Sequence, residues 1–99
     1  MEIKLINHGD HGEILLIGRL DSSTADEADE VFGQLGERFD ALTLNMENLE
    51  YISSAGLRVL KRLYMTMNRK GGSLELSKVR PMVMEVLEMT GFAGLLKII

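Results

Sequence analysis

The chain has 99 residues, enough for one domain and too few for two, and its 45% hydrophobic content supports a packed core. It contains no cysteine, which excludes disulfides and thiolate metal sites, and its net charge is only −4. No apolar run approaches the roughly 20 residues of a membrane helix, and Met1 leads into polar sequence without a signal peptide. We therefore expect a single cytoplasmic domain over residues 1–99 that has no membrane segment.

The chain begins with the pattern of a β-hairpin followed by a helix. Alternating apolar residues around Ile3 and Leu5 and the apolar run 13–18 flank the turn residues 7–12. Apolar residues then recur at three- and four-residue spacings from Ala25 to about Arg38, which predicts a helix with several hydroxyl-bearing N-cap candidates before it.

The second half of the chain alternates strands and helices. We expect a short strand at 41–46, a loop from Glu47 to Ile52, and a helix that starts at Ser53-Ser54 and ends near Asn68. After the Gly71-Gly72 turn come a strand at 73–77, a helix from Pro81 to just before Gly91, and a last strand at 95–99.

The predicted order of elements is therefore β-β-α-β-α-β-α-β. A helix between successive strands implies parallel pairing, whereas the opening hairpin pairs its two strands antiparallel. We predict an α/β fold with a mixed sheet and helices packed on it.

The motifs of common enzymes are absent. The sequence has no Walker loop, no G-x-G-x-x-G, no H-E-x-x-H and no G-x-S-x-G. Both histidines, His8 and His11, lie with Asp10 in the hairpin turn, and no further metal ligand is in view. A Ser-His-acid relay would need this turn to fold over Ser53-Ser54. We expect no catalytic residue, no metal and no cofactor.

The segment Ser53-Ser54-Ala55-Gly56 lies between a strand and a basic helix, where α/β folds usually place ligand sites. Asp21, at the end of the preceding strand, is expected at the same edge of the sheet. Serine before a helix is the usual N-cap. A serine hydroxyl at a helix N-terminus is also a favourable place for a phosphate group, and the spacing does not separate these two interpretations.

The charges are unevenly distributed along the chain. Residues 1–50 contain 12 acidic and 3 basic residues, whereas residues 51–99 contain 3 acidic and 8 basic residues. Two differently charged sides of one domain explain this, and so does a bipolar surface that orients a charged protein partner. Nucleic acid is a poor candidate, because the chain is acidic overall and has only two Tyr and three Phe for stacking.

The run from Asn45 to Leu60, NMENLEYISSAGLRVL, resembles the signature segment of STAS domains, specifically of bacterial anti-sigma factor antagonists. Residues 18–25 (GRLDSSTA), the Gly71-Gly72 turn and residues 90–92 (TGF) agree with the same family. The similarity covers nearly the whole chain in the right order.

The resemblance implies a partner-switching mechanism. In this family the dephosphorylated antagonist binds an anti-sigma factor, which is also a serine kinase with a histidine-kinase-like ATPase fold, and the sigma factor is released. Phosphorylation of the serine that starts the second helix breaks the complex, and a PP2C-type phosphatase restores it. That serine corresponds to Ser54. Many members have Asp before it, whereas this chain has Ser53, which leaves Ser53 as an alternative acceptor.

The resemblance also implies where the partner binds, and it leaves open an alternative function within the same family. The partner-binding residues that follow from the motifs are Asp21, Ser22, Ser23, Ser53, Ala55, Gly56 and Arg58. The alternative is a STAS scaffold that holds a partner and is never phosphorylated. The chain stops where family members usually continue into a last helix, so we expect exposed apolar surface there, or cover by a partner or a second copy.

Overall fold

The computed structural model describes the whole chain, Met1–Ile99, as five strands and four helices. The strands are β1 (Glu2–Asn7), β2 (Gly12–Leu20), β3 (Ala41–Ile52), β4 (Ser73–Ser77) and β5 (Lys97–Ile98). The helices are α1 (Ala25–Arg38), α2 (Ser54–Arg69), α3 (Pro81–Met89) and the single turn α4 (Phe92–Leu95). The predicted α/β class is confirmed. No helix combines the length and the apolar character that crossing a bilayer would require.

The five strands form one mixed sheet in the order β1-β2-β3-β4-β5. Strands β1 and β2 pair antiparallel, and every other neighbouring pair is parallel. This arrangement confirms the pairing that the order of elements predicted. Because β2, β3 and β4 run in the same direction, the segments that follow their carboxyl ends leave the sheet at one edge.

The core lies between the sheet and the helices. One row of aligned side chains crosses all five strands, with its three central members fully buried; it consists of Leu5, Ile14, Leu44, Leu76 and Ile98. Helices α1 and α2 contact each other and bury Phe32, Leu60 and Leu63 against this face. The residues that alternate with the buried row, such as Glu13, Thr43 and Glu75, are partly exposed, so the opposite face of the sheet is open.

Strand β3 is twice as long as the sequence predicted, and the expected loop from Glu47 to Ile52 does not exist. The register between β2 and β3 shifts twice. At the first shift, three residues of β3 (46–48) lie opposite two residues of β2 (16–17). At the second, Glu50 is an extra residue in β3 before the Arg19–Tyr51 pair. Each bulge inserts one residue, so the buried positions fall at Met46, Leu49 and Ile52. Because these buried residues are three apart, this part of β3 lacks the two-residue alternation by which strands are predicted from sequence.

The end of the chain also differs from the prediction. Residues 95–99 were expected to form the last strand, but Leu95 closes the helical turn α4 and the strand is limited to Lys97–Ile98. Gly91 adopts a left-handed conformation (φ +81°), which lets the chain leave α3 and re-enter a helical turn at Phe92. Phe92 and Ala93 are then half-buried against the core.

Candidate functional site

Two loops meet at the edge where β2 and β3 end. Leu20 and Ile52 are paired in the sheet, and the backbone N–H of Ser53 donates to the carbonyl of Leu20 at 3.0 Å. Asp21 follows Leu20, and Ser54 follows Ser53 as the first residue of α2. The sequence-based expectation that Asp21 and the two serines share this edge is therefore correct.

Gly56 makes the close approach of these loops possible. A β-carbon at this position would lie 2.8 Å from both Cγ and the carbonyl oxygen of Leu20, and 2.9 Å from Cγ1 of Ile52. No larger residue fits without moving the backbone of the β2–α1 loop. Gly56 is buried and packs against the β2–α1 loop. Its part in partner binding stays a prediction.

The loop that contains Asp21 is held by its own hydrogen bonds. The Asp21 carboxylate accepts from the Ser23 hydroxyl at 2.6 Å and from the Ser23 backbone N–H at 2.9 Å. These bonds, together with the nearby Arg19 guanidinium, lower the pKa of Asp21 below its ordinary value. The carboxylate is thus ionised at neutral pH and stays near the surface as a fixed negative charge.

Three further residues shape this edge, and sequence reasoning did not assign them to it. The Thr24 hydroxyl donates to the carbonyl of Arg19 at 2.9 Å and accepts from the backbone N–H of Asp21 at 3.0 Å. The Arg19 guanidinium lies 4.4 Å above the centre of the Tyr51 ring and 3.6 Å from the Asp21 carboxylate. Arg19 and Tyr51 are paired across β2 and β3, a signal that becomes visible only once the bulges fix the register.

Ser53 occupies the N-cap position of α2 but does not cap the helix. Its backbone is extended (φ −102°, ψ 178°), and its side chain makes no hydrogen bond to the first turn. The hydroxyl oxygen is buried and has no hydrogen-bond partner. The interpretation of this serine as an ordinary N-cap is wrong, because the chain enters α2 with the hydroxyl turned inward.

Ser54 differs from Ser53 in the property that matters for modification. It is the first helical residue of α2, and it is exposed. The first turn contains no acidic side chain, and Ser53 leaves its N–H groups without a side-chain acceptor. The positive end of the helix dipole therefore favours a negative group at this hydroxyl.

A cleft of about 230 Å³ extends from this edge between the first turns of α1 and α2. Its walls carry Ala25, Asp26 and Asp29 from α1, and Ala55, Arg58 and Arg62 from α2. Arg62 forms an ion pair with Asp29, whereas Arg58 and Asp26 take part in no ion pair. The cleft thus presents one free cation and one free anion beside the exposed Ser54.

Comparison with known proteins decides the family. Residues 2–99 match the STAS domain family. The chain belongs to this family. This STAS domain is 28% identical over 102 residues to the anti-sigma F factor antagonist of Paenibacillus polymyxa, covering 99% of the chain and 86% of that protein. It is 33% identical over 81 residues to a Bordetella bronchiseptica protein provisionally named anti-sigma factor antagonist BtrV, covering 81% of the chain and 70% of that protein.

A solved structure supports the fold of the STAS domain. The Bacillus cell fate determinant SpoIIAA in its phosphorylated form superposes with a TM-score of 0.76 at 16% identity, covering 99% of this chain and 91% of that one. At this identity the similarity concerns the fold alone.

The predicted site residues of the STAS domain fall into three groups by exposure. Ser22, Ser23, Ser54 and Arg58 are exposed; Asp21, Ser53 and Ala55 are half-buried; and Gly56 is buried. All of them belong to the two loops or to the first two turns of α2. The structure therefore brings the whole predicted set to one edge, where Ser22, Ala55 and Arg58 also line the cleft.

The hairpin turn of the STAS domain lies at the opposite edge of the sheet, because Gly12 begins the strand that Leu20 ends. His8 is 2.8 Å from Glu13, His11 is 2.8 Å from Asp10, and the two rings stack with their centres 4.6 Å apart. Neither histidine can serve Ser53 or Ser54 in a relay. No group of three or more His, Cys, Asp or Glu side chains is arranged to hold a metal ion.

Proposed function

We propose that this STAS domain is an anti-sigma factor antagonist that binds an anti-sigma factor through the edge formed by the β2–α1 and β3–α2 loops. Phosphorylation of Ser54 ends this binding. The family match, the names of the Paenibacillus and Bordetella relatives, and the phosphorylated form in which SpoIIAA was solved support this proposal.

One observation carries the choice of the modified residue: Ser54 is exposed, whereas the Ser53 hydroxyl is buried. A kinase must bring the acceptor oxygen into line with a nucleotide phosphate, which a buried hydroxyl does not permit. Ser54 also stands at the positive end of a 16-residue helix. These observations favour Ser54 as the acceptor over the alternative Ser53.

Electrostatics explains how the phosphate would end the binding. A phosphoserine carries a charge of roughly −1.5 to −2 at neutral pH. It would be added at the same edge as the ionised Asp21, to a surface that the partner must approach closely. Like charges and a bound hydration shell both oppose docking. A loss of about 3 kcal/mol would already lower the affinity more than a hundredfold.

The proposed cycle assigns no catalysis to this chain. The anti-sigma factor is expected to be a serine kinase with a histidine-kinase-like ATPase fold, and a PP2C-type phosphatase would remove the phosphate. The STAS domain contributes a rigid binding surface and the acceptor hydroxyl. Its own residues form no relay and no metal site at this edge.

A quantitative pull-down from native lysate tests the proposal, with wild type, Ser54→Asp and Ser54→Ala as baits. We expect wild type and Ser54→Ala to recover an ATPase of the histidine-kinase-like fold, and Ser54→Asp to recover at least tenfold less. Ser73→Asp is the matched control, because Ser73 is also exposed but begins β4 at the opposite edge of the sheet. It should recover as much partner as wild type.

The opposite result has a defined meaning. Equal recovery of one partner by wild type and Ser54→Asp would refute control by phosphorylation and identify the chain as a STAS scaffold that is not phosphorylated. Equal losses in Ser54→Asp and Ser73→Asp would attribute the effect to net charge and not to this edge.

A further inference from the structure

The first two turns of α2 carry a cation that the fold does not use. Arg58 is exposed and takes part in no ion pair, although Asp26 lines the same cleft. The other basic residues along this part of α2 are differently placed: Arg62 is paired with Asp29, Lys61 is unpaired but lies seven residues after Ser54, roughly 10 Å along the axis, and Arg69 lies in the last turn. The Arg58 guanidinium is therefore available to an anionic group that is added near it.

The helix geometry points Arg58 at Ser54. Residues four apart on an α-helix are neighbours on the same face, about 5–6 Å apart at their β-carbons. Arg58 follows Ser54 by four residues within α2, and both side chains are exposed on that face. The guanidinium fork matches the oxygens of a phosphate group, with which it forms paired hydrogen bonds.

We propose that phosphoserine at position 54 captures the Arg58 guanidinium, so that Arg58 is the residue of this chain that reads the phosphate. This inference rests on the proposed phosphorylation of Ser54. It adds a second effect to the added negative charge: phosphorylation withdraws the free cation from the cleft, where the partner would otherwise find it beside Asp26.

The surrounding charges make Arg58 the dominant partner of the phosphate. The α1 side of the site is acidic, with Asp21 and Asp26, and its nearby cation Arg19 already lies between Tyr51 and Asp21. These carboxylates raise the second pKa of a neighbouring phosphate, whereas Arg58 lowers it. Removal of Arg58 therefore leaves the phosphate among like charges, and its pKa must rise.

The test uses the full chain with phosphoserine installed at position 54 during translation, so no kinase is required. Phosphorus NMR follows the second ionisation of this group, whose pKa is about 6 in a free phosphoserine. In Arg58→Gln we expect the pKa to rise by about 0.3 unit or more relative to the wild type. Arg58→Lys keeps the positive charge and should restore most of the lowering.

Arg69→Gln is the matched control, because it removes the same charge from the same helix. Arg69 lies 15 residues after Ser54 in α2, roughly 22 Å along the axis and beyond the screening length of about 10 Å at 0.1 M salt. Its phosphate pKa should equal that of the wild type. An unchanged pKa in Arg58→Gln, or equal shifts in both variants, would overturn the inference. Either result leaves the pull-down test of Ser54 unaffected, so the two proposals fail separately.

Discussion

Replacement of Gly56 by alanine tests whether the two loops of the site are fixed by packing. The added β-carbon would meet three atoms at 2.8–2.9 Å, and one of them is the Leu20 carbonyl oxygen. That oxygen accepts the hydrogen bond from Ser53 that joins the β2–α1 and β3–α2 loops. The side-chain atoms belong to Leu20 and Ile52, which are both buried and cannot swing aside.

The expected cost follows from three contributions. Overpacking of a well-packed site costs typically about 1–3 kcal/mol. Weakening of the Ser53–Leu20 hydrogen bond adds about 1 kcal/mol. The better helix propensity of alanine at Gly56 offsets about 1 kcal/mol. We therefore expect Gly56→Ala to lower the free energy of unfolding by about 1–3 kcal/mol, and to weaken partner binding because Asp21 is displaced relative to Ser54.

Urea denaturation followed by circular dichroism measures this change, with the slope checked for constancy. Gly33→Ala is the matched control: Gly33 lies inside α1, is exposed, and has no atom within 4 Å of the added β-carbon. This control should gain about 0.5–1 kcal/mol. If Gly56→Ala also proved as stable as the wild type, or more stable, the packing argument for the site would be refuted.

Two further predictions concern single side chains. Ser53→Ala should leave the free energy of unfolding unchanged or raise it by up to about 1 kcal/mol, because the hydroxyl that is removed is buried and unpaired. A decrease of about 1 kcal/mol in the free energy of unfolding, as expected for the loss of a true N-cap, would contradict this. Hydrogen bonds from Asn45 and His8 lower the pKa of Glu13 in the folded chain. The ionised Glu13 therefore stabilises the fold at pH values above the pKa of an unfolded Glu, about 4.3, and this stabilisation is lost as the pH falls further. Glu13→Gln should therefore show a smaller drop in urea midpoint between neutral and acidic pH than the wild type, and an identical drop would exclude the effect.

The element order was predictable because most of the chain follows simple periodicities. Helices α1 and α2 show apolar residues at three- and four-residue spacings, and the antiparallel hairpin shows turn residues between apolar runs. Strand β3 was only half predicted. Its buried residues Met46, Leu49 and Ile52 are three apart because two bulges each insert a residue, and bulges depend on the partner strand, which no local pattern contains.

The site was predictable in its position and not in its details. Parallel strands bring their carboxyl ends to one edge, which places Asp21 near Ser54 without any knowledge of side chains. The Ser53 hydroxyl is buried although its extended backbone is one that N-cap residues commonly adopt, and Gly56 is buried against Leu20. Both depend on tertiary contacts, and local propensity alone assigns Ser53 to capping.

A comparison of magnitudes indicates how a phosphate at Ser54 acts. An exposed ion pair such as that proposed with Arg58 contributes roughly 0.2–1 kcal/mol. Displacement of the α2 N-terminus would have to disrupt the packing of Gly56 on Leu20 and the Ser53 hydrogen bond, at a cost of about 1–3 kcal/mol. The energy of the ion pair is therefore too small to displace the N-terminus of α2. We therefore expect phosphorylation of Ser54 to change the charges of this surface and the direction of Arg58, and to leave the backbone beneath it in place.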